Sequence, residues 1–198
     1  MATFFLAVVL GACSDGGGGA ENGVSADDAR KAIQAADLGD EDTIGALDPL
    51  RDSDTAVKVA ADALKKGARG DELWAAAYVY ANGGADPKPL ESLVDHDDVA
   101  IRVLAGIGLV ANGAVEGFGP LIDALGEADD MAGSFPPTPV WSVAASTLVR
   151  FTAISEHGPA FDADDADRRA AQQRWRDWLA ANQKRLRFDA ETELWDVR

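Results

Sequence analysis

The sequence predicts an all-α fold in which antiparallel helix pairs are stacked on one another. Three observations support this prediction. From Ser25 onward almost no segment alternates apolar and polar residues with a period of two, so strands are not expected. Helical segments follow one another with recognisable start and stop signals. Two of the helix pairs also repeat each other at a spacing of thirty to thirty-one residues.

Helix boundaries are predicted from capping residues and prolines. Ser25 is expected to start the first helix, because Asp28 follows three residues later as in a capping box with a shorter acid. Pro87, Pro120 and Pro139 lie at or near helix starts, where a missing N–H group costs little. The predicted helices cover residues 25–36, 42–50, 54–66, 71–82, 88–94, 97–111, 115–126, 139–155 and 165–187.

Two neighbouring pairs of predicted helices have the same residues at their helix ends and starts. Ala81-Asn82-Gly83 recurs as Ala111-Asn112-Gly113, and Pro89-Leu90 recurs as Pro120-Leu121. Asn and Gly are typical of helix C-termini, because both tolerate the left-handed conformation. Each unit is therefore a longer helix, an Asn-Gly turn and a shorter apolar helix. Such a unit cannot bury its apolar face alone, so stacking is expected to make a continuous core.

The first helices of these units resemble those of the HEAT-like repeat family, of the PBS-lyase type. The family pattern is Val-Arg, two variable positions and Ala, ending in Leu or Gly, and residues 99–108 (VAIRVLAGIG) match it well, with Ile101 before Arg102. Residues 140–148 and 73–77 match it with Trp where Arg is usual, and residues 57–64 are a degenerate copy. The resemblance covers about 54–155. It implies a short right-handed α-solenoid of antiparallel helix pairs, with residues 25–198 as the repeat domain.

The last unit departs from the repeat rhythm. A long Pro-containing connection at 127–139 opens this last unit ahead of the predicted helix 139–155, and the final segment, residues 165–198, holds three of the five tryptophans, Trp175, Trp178 and Trp195. This segment is similar to the terminal segment of bacterial HEAT-repeat proteins, and terminal repeats must close an exposed apolar end. Residues 165–198 are therefore predicted to be a Trp-rich C-terminal cap, with an aromatic ligand surface as the alternative.

The N-terminus is predicted to carry a membrane anchor. The uncharged apolar run at 2–12 is too short to span a bilayer, for which about 20 residues are needed, but fits the apolar region of a secretory signal. Leu10-Gly11-Ala12-Cys13 resembles the bacterial lipobox, in which the cysteine is acylated.

This resemblance implies a signal peptide at 1–12, lipidation of Cys13 and a flexible Gly-rich tether at 13–24. The protein would then face outward from the cytoplasm in a bacterial cell envelope, on the periplasmic or extracellular side. The alternative is an ordinary apolar N-terminal strand or buried helix end with an inert Cys13.

Composition excludes several classes of protein. The 34 acidic and 18 basic residues give a formal charge of −16, which makes nucleic-acid binding improbable, because phosphate neutralisation needs clustered bases. A single cysteine excludes a disulfide framework and a thiolate zinc cluster. Hydrophobic residues at 47% suffice for a core, so wholesale disorder is excluded as well.

The sequence contains two acidic loops that could bind a metal ion, but no recognisable set of catalytic residues. Residues 95–98 (DHDD) combine a histidine with three carboxylates, but they also lie where a helix N-cap belongs. Residues 162–167 lack the glycine and glutamate of a calcium-binding EF-hand loop and are expected to cap the last helix. Neither a nucleophile elbow nor a phosphate loop occurs. We therefore expect no enzyme activity, no catalytic residue, no metal site and no cofactor.

Charge is unevenly distributed along the chain. Residues 168–198 hold eight basic and five acidic residues, whereas residues 1–167 hold ten basic and twenty-nine acidic ones. The basic end could contact an acidic partner or anionic lipid headgroups, or it could simply solvate the cap. The candidate partner-binding residues are Arg168, Arg169, Arg176 and Arg185.

The expected function is a non-enzymatic, envelope-anchored scaffold or adaptor for an unknown protein partner, held at the membrane by its lipid and binding no nucleic acid. Repeat curvature creates an extended surface, and no catalytic site competes with this interpretation. The alternatives are a metal or small-ligand binding protein that uses the Asp-rich loops, and a HEAT-like accessory subunit of a cofactor enzyme.

Overall fold

The computed structural model describes residues 23–134, 136–160 and 162–198. The predicted signal peptide, the Cys13 lipidation site and all but the last two residues of the predicted tether lie outside these described residues. Within them the chain is mostly helical, as predicted, and one two-stranded sheet lies at the C-terminus.

The elements follow the predicted order closely. The helices are α1 (Ala26–Gln34), α2 (Asp42–Leu47), α3 (Asp54–Lys65), α4 (Gly70–Gly83), α5 (Lys88–Glu91), α6 (Val99–Ala111), α7 (Phe118–Ala124), α8 (Val140–Thr152) and α9 (Asp165–Asn182). Short 3-10 turns at Asp48–Leu50 and Val115–Gly117 complete the predicted helices around α2 and α7. The strands are β1 (Leu186–Asp189) and β2 (Leu194–Val197).

Helices that are close in the sequence pack against one another. Helix α4 contacts α3 and α6, and α6 contacts α5, α7 and α8; α7 in turn contacts α8 and α9. Ten of the thirteen residues of α6 are buried, so this helix lies at the centre of the core. A methyl group on Gly108 would lie 2.9 Å from the Cα of Ala81, so the missing side chain lets α4 and α6 approach closely.

Capping residues set the helix starts. The Ser25 hydroxyl accepts the Asp28 N–H at 3.1 Å and donates to the Asp28 carboxylate, which confirms the predicted first cap. Ser53 and Asp98 cap α3 and α6 in the same way, by accepting an N–H of the first turn. Asp164 accepts the Asp167 N–H and begins α9.

The two Asn-Gly turns differ in conformation. Gly113 has a φ of 74°, as predicted for a left-handed helix terminus. Gly83 is instead the last residue of α4, and a methyl group there would overlap the carbonyl oxygen of Arg51. The left-handed prediction is therefore wrong for the first turn, where glycine serves a close packing contact. The Asn112 amide links the two units by donating to the Gly84 carbonyl at 2.8 Å.

The C-terminus differs most from the prediction. A helix over 165–187 was expected, but α9 ends at Asn182 and an antiparallel hairpin follows, with Phe188 opposite Trp195. Leu186 and Phe188 alternate with more exposed polar neighbours, a local period of two that the helical interpretation missed. The Trp195 indole N–H donates to the Val110 carbonyl at 3.0 Å, which docks the hairpin on the end of α6.

The predicted long connection between α7 and α8, which we call the 127–139 loop, packs back onto the start of the described chain. The Met131 N–H donates to the Thr138 carbonyl at 2.7 Å, and Met131 is buried. A methyl group on Gly133 would lie 3.3 Å from both the Leu38 and the Trp74 side chains. The loop therefore contacts both the segment after α1 and helix α4.

Candidate functional site

Three surface depressions meet at the loop of residues 95–98. His96 lines the first and second depressions, Asp98 the first and third, and Asp97 the second and third. We call them the apolar pocket, the mixed-charge groove and the acidic groove. Four residues of one loop thus border a single continuous surface, which is the candidate functional site.

Hydrogen bonds within the chain fix this loop. The Asp98 carboxylate accepts the Ala100 N–H at 2.8 Å, and the His96 Nδ1 atom accepts the Asp98 N–H at 3.0 Å. The Arg102 guanidinium donates to the carbonyls of His96 and Asp97 at 2.7 and 2.9 Å. The predicted capping role of the loop is confirmed, and these bonds hold its main chain together with the side chains of His96 and Asp98.

The apolar pocket has a volume of about 460 Å³. It lies between the α3–α4 turn, the end of α5 and the start of α6, and its apolar wall consists of Leu38, Leu64, Ala68, Leu73, Trp74, Leu93 and Ile101. Trp74 stacks on Tyr78 with ring centroids 5.2 Å apart, and the Tyr78 hydroxyl donates to Asp48. This stack fixes the indole plane that forms part of the pocket wall.

Charged groups at the apolar pocket are mostly engaged by the chain itself. The Asp71 carboxylate accepts the Leu38 N–H at 3.2 Å, and Asp98 is the α6 cap. Arg69, at the N-terminus of α4, pairs with no carboxylate among the described residues.

The mixed-charge groove has a volume of about 680 Å³ and lies between the 95–98 loop, the end of α7 and helix α9. Arg176 of α9 pairs with Asp123 of α7 at 2.7 Å. The Gln172 amide donates to the carbonyls of Ile122 and Asp123 at 3.1 and 2.8 Å. These contacts hold α9 as one wall of the groove.

The acidic groove has a volume of about 420 Å³ and lies between the start of α6 and the 127–139 loop. Five carboxylates line it, those of Asp97, Asp98, Glu127, Asp129 and Asp130, against the single guanidinium of Arg102. Arg102 lies 3.7 Å from Glu127, so its charge is already partly matched. Asp97, Asp129 and Asp130 are exposed and pair with no cation in the part of the chain that the structure describes.

The four arginines predicted to bind a partner separate into two groups. Arg169 and Arg176 line the mixed-charge groove, where they face the 95–98 loop. The Arg168 side chain is instead only 14% exposed, with its guanidinium over Trp141 at 5.7 Å and 3.3 Å from Asp165. Arg185 donates to the Asn182 side chain at 2.7 Å and lines none of the three depressions. Arg169 is also bound to Asp165, at 2.9 Å.

The aromatic residues of the C-terminal segment pack against the chain itself. Trp175 is buried and makes edge contacts with His157 and Trp178. Phe118 of α7 meets both Trp178 and Trp195, with ring centroids 5.9 and 5.3 Å apart. The rings thus join α7, α9 and the hairpin.

The second acidic loop serves helix α9. Asp164 is its N-cap, and Asp165 pairs with two arginines of the first turns. Over the described residues, no group of three or more His, Cys, Asp and Glu side chains is placed to hold a metal ion.

No pattern in the sequence marks the apolar pocket. Trp74 stood out only as a replacement within the repeat pattern, and Leu38 and Leu93 carried no signal at all. The wall of the pocket comes from several elements far apart in the sequence, so no local motif marks it. The 95–98 loop is visible in the sequence because it combines a histidine with three carboxylates, as a metal site would. Its position between three depressions is not visible there.

Comparison with family models, curated proteins and solved structures finds no match to this chain. Among residues 23–134, 136–160 and 162–198, no helix is both long and apolar enough to cross a membrane.

Proposed function

We propose that this protein is a non-enzymatic adaptor of the bacterial cell envelope, anchored through lipidated Cys13, that binds a partner polypeptide around residues 95–98. The observation that carries the binding proposal is the junction of three depressions at one rigid loop. A ligand that occupies more than one of them must be extended, and a polypeptide segment meets that requirement.

Two features support the proposed architecture, a short right-handed α-solenoid of HEAT-like helix pairs. Helix α4 contacts α6 and α6 contacts α8, while α3 packs on α4, α5 packs on α6 and α7 packs on both α6 and α8, which is the packing expected of stacked pairs. The Asn112 side chain also bonds the main chain of the preceding unit at Gly84. In a stack of this kind the loops of successive units align along one edge, where the candidate site lies.

The polarity of the site supports binding of a protein rather than of a small apolar molecule. Small-molecule sites are mostly apolar with a few polar groups, whereas two of the three depressions here are lined chiefly by charged side chains. Protein interfaces combine a central apolar anchor with a polar rim. The apolar pocket beside two charged grooves has that arrangement.

Lipidation is tested by the intact mass of the membrane-extracted protein beside a Cys13→Ala variant. We expect a mature chain that begins at Cys13 with added acyl mass, and we expect the variant to lack this species. An unprocessed, unacylated wild-type chain would overturn the anchor while leaving the binding surface to be tested separately.

Partner binding is tested by crosslinking in intact envelopes. Replacing Asp97 and Asp130 by arginine reverses two exposed charges of the acidic groove and should remove a specific crosslinked band. The matched control replaces Asp52 and Glu191, two exposed acids outside the three depressions, and changes the net charge equally. A band that disappears in both variants, or in neither, would contradict the proposed surface.

The two alternatives lack a comparable observation. The carboxylates of Asp98 and Asp164 serve as helix caps, so the metal-binding alternative gains no support from either acidic loop. Calcium titration by calorimetry tests it directly, since a binding heat together with a raised melting temperature would favour it. No described feature favours an accessory subunit over an adaptor.

A further inference from the structure

We infer that the partner segment inserts one apolar side chain into the apolar pocket and places basic side chains in the acidic groove. This inference rests on the proposed function and names the chemistry of its ligand. It follows from the different linings of two depressions that share Asp98.

The apolar pocket is suited to a single uncharged side chain. Its apolar wall includes the indole of Trp74 together with Leu73, Leu93 and Ile101. An aliphatic group inserted there would have most of its surface removed from water. The Asp71 and Asp98 carboxylates at its border already accept main-chain N–H groups. Fully burying a leucine-sized side chain is worth about a 10- to 100-fold change in affinity.

The acidic groove is suited to cations. Its five carboxylates face one guanidinium, and Arg102 already binds two carbonyls and approaches Glu127. A cleft lined by one sign of charge concentrates the field of the surrounding chain, which has a net charge of −16. An approaching lysine or arginine therefore meets carboxylates that have no cationic partner within residues 23–134, 136–160 and 162–198, chiefly those of Asp97, Asp129 and Asp130.

The two regions are adjacent, which sets the spacing of the ligand. His96 and Asp98 line the apolar pocket, and Asp97 and Asp98 line the acidic groove. An extended chain advances about 3.3 Å per residue, so the basic residues must follow or precede the apolar one within a few positions. Arg69 lies on the α4 side of the apolar pocket and would repel basic residues of the ligand there. The basic residues should therefore lie only on the side of the apolar residue that extends toward the acidic groove.

Fluorescence anisotropy of labelled peptides with the full-length protein tests the inference. The probe is a peptide of about ten residues with one leucine and three lysines in a glycine and serine background. One matched peptide has serine for leucine, and another has glutamate for each lysine. We expect the serine peptide to bind about 10- to 100-fold more weakly, and the glutamate peptide not to bind.

Two protein variants assign the contacts. Replacing Ala68 by tryptophan fills the apolar pocket and should abolish the difference between the leucine and serine peptides. Replacing Asp129 and Asp130 by asparagine should weaken the lysine peptide several-fold, whereas asparagine at Asp52 and Glu191 should leave its affinity unchanged. Equal weakening by both pairs would mean that the peptide responds only to net charge and would overturn the inference.

The outcomes separate the inference from the proposed function. If leucine and serine peptides bind equally, or the glutamate peptide binds best, the inferred ligand chemistry is wrong. If the variant with arginine at Asp97 and Asp130 nevertheless loses its crosslinked band, the surface binds a partner of another chemistry and the proposed function stands. If the peptides do not bind and the band is unchanged, both are wrong.

Discussion

Two buried tryptophans differ in what their indole N–H groups contact. The Trp195 N–H donates to the Val110 carbonyl across the hairpin contact, whereas the Trp175 N–H has no hydrogen-bond partner among the residues that the structure describes. Both side chains are almost fully buried, at 6% and 0% exposed. The pair therefore offers a comparison in which burial is matched and the hydrogen bond is not.

Trp195→Phe should destabilise the protein more than Trp175→Phe. Both substitutions remove similar ring area, but only the first removes a hydrogen bond, which contributes about 0.5–1.5 kcal/mol net. Urea denaturation followed by far-UV circular dichroism measures the difference. Equal losses in the two variants would mean that the Trp195 bond adds nothing to the docking of the hairpin.

Tyr78 links helix α4 to the turn after α2. Burial raises the pKa of its hydroxyl well above the ordinary value of 10.0, and the neighbouring Asp48 carboxylate raises it further. In the unfolded chain this tyrosine loses its proton near pH 10, whereas the folded protein retains it. The unfolded state then binds fewer protons, so stability falls as the pH rises above 10.0.

Tyr78→Phe should make this alkaline loss of stability shallower, because phenylalanine has no proton to lose. The urea midpoint of both proteins between about pH 8 and pH 11 gives the slopes. Tyr80→Phe is a useful comparison, since burial also raises the pKa of Tyr80, whose hydroxyl donates to the Asp86 carbonyl. Parallel wild-type and Tyr78→Phe curves would contradict the assigned role of this hydroxyl.

At the scale of elements, the contact between α4 and α6 depends on a missing side chain. Gly108 faces Ala81 across this contact, and a methyl group there would lie 2.9 Å from the Ala81 Cα. Gly45 in α2 has no neighbouring atom within 4 Å of the same position. The two helical glycines thus occupy opposite environments.

Alanine at these positions should change stability in opposite directions. Gly108→Ala should cost about 1–3 kcal/mol, because the added methyl group forces α4 and α6 apart. Gly45→Ala should stabilise the protein by about 0.5–1 kcal/mol, because it removes backbone freedom from the unfolded chain. Thermal melts of the two variants test both signs, and a neutral Gly108→Ala would show that the helices can separate freely.

Local sequence signals predicted most helix boundaries well. The boundaries that they predicted wrongly are set by contacts between residues far apart in the sequence. Ser25, Ser53, Asp98 and Asp164 act through hydrogen bonds within four residues, so their effects are visible in sequence. The end of α9 depends instead on the hairpin that docks on Val110, a residue distant in sequence. The alternation at Leu186–Asp189 was present, but it was too short to compete with the helical pattern before it.

At the scale of the whole molecule, net charge opposes compactness. The chain has a formal charge of −16, and three exposed carboxylates of the acidic groove have no cationic partner among the described residues. Mutual repulsion of like charges destabilises the folded state, and dissolved salt screens it over about 10 Å at 0.1 M. Stability should therefore depend on ionic strength.

The melting temperature should rise as NaCl increases from about 20 mM to about 0.5 M. Asparagine at Asp129 and Asp130 should reduce this rise more than asparagine at Asp52 and Glu191, because the first pair lies in a groove lined by five acids. Differential scanning calorimetry at several salt concentrations measures the slopes. A melting temperature that does not change with salt would mean that repulsion is already balanced within the chain.

The candidate site could be predicted only in part, for a reason that belongs to this same scale. The 95–98 loop and Arg169 were visible because charged residues stand out in sequence. That the loop faces α9 depends on the packing of α7 between them. The apolar pocket also includes Leu38, whose N–H donates to the Asp71 carboxylate thirty-three residues later. No sequence pattern predicts that contact.

The 127–139 loop has a consequence for how the protein unfolds. In a linear array whose units touch only their neighbours, the ends can fray one unit at a time. Here Gly133 packs against Leu38, Ile44 and Trp74, so the first units cannot separate without releasing a loop that leads into α8. The N-terminal helices are thereby coupled to the segment that leads into α8, so we expect these parts of the molecule to unfold together. We also expect this contact to slow folding, since it joins residues that are far apart in the sequence.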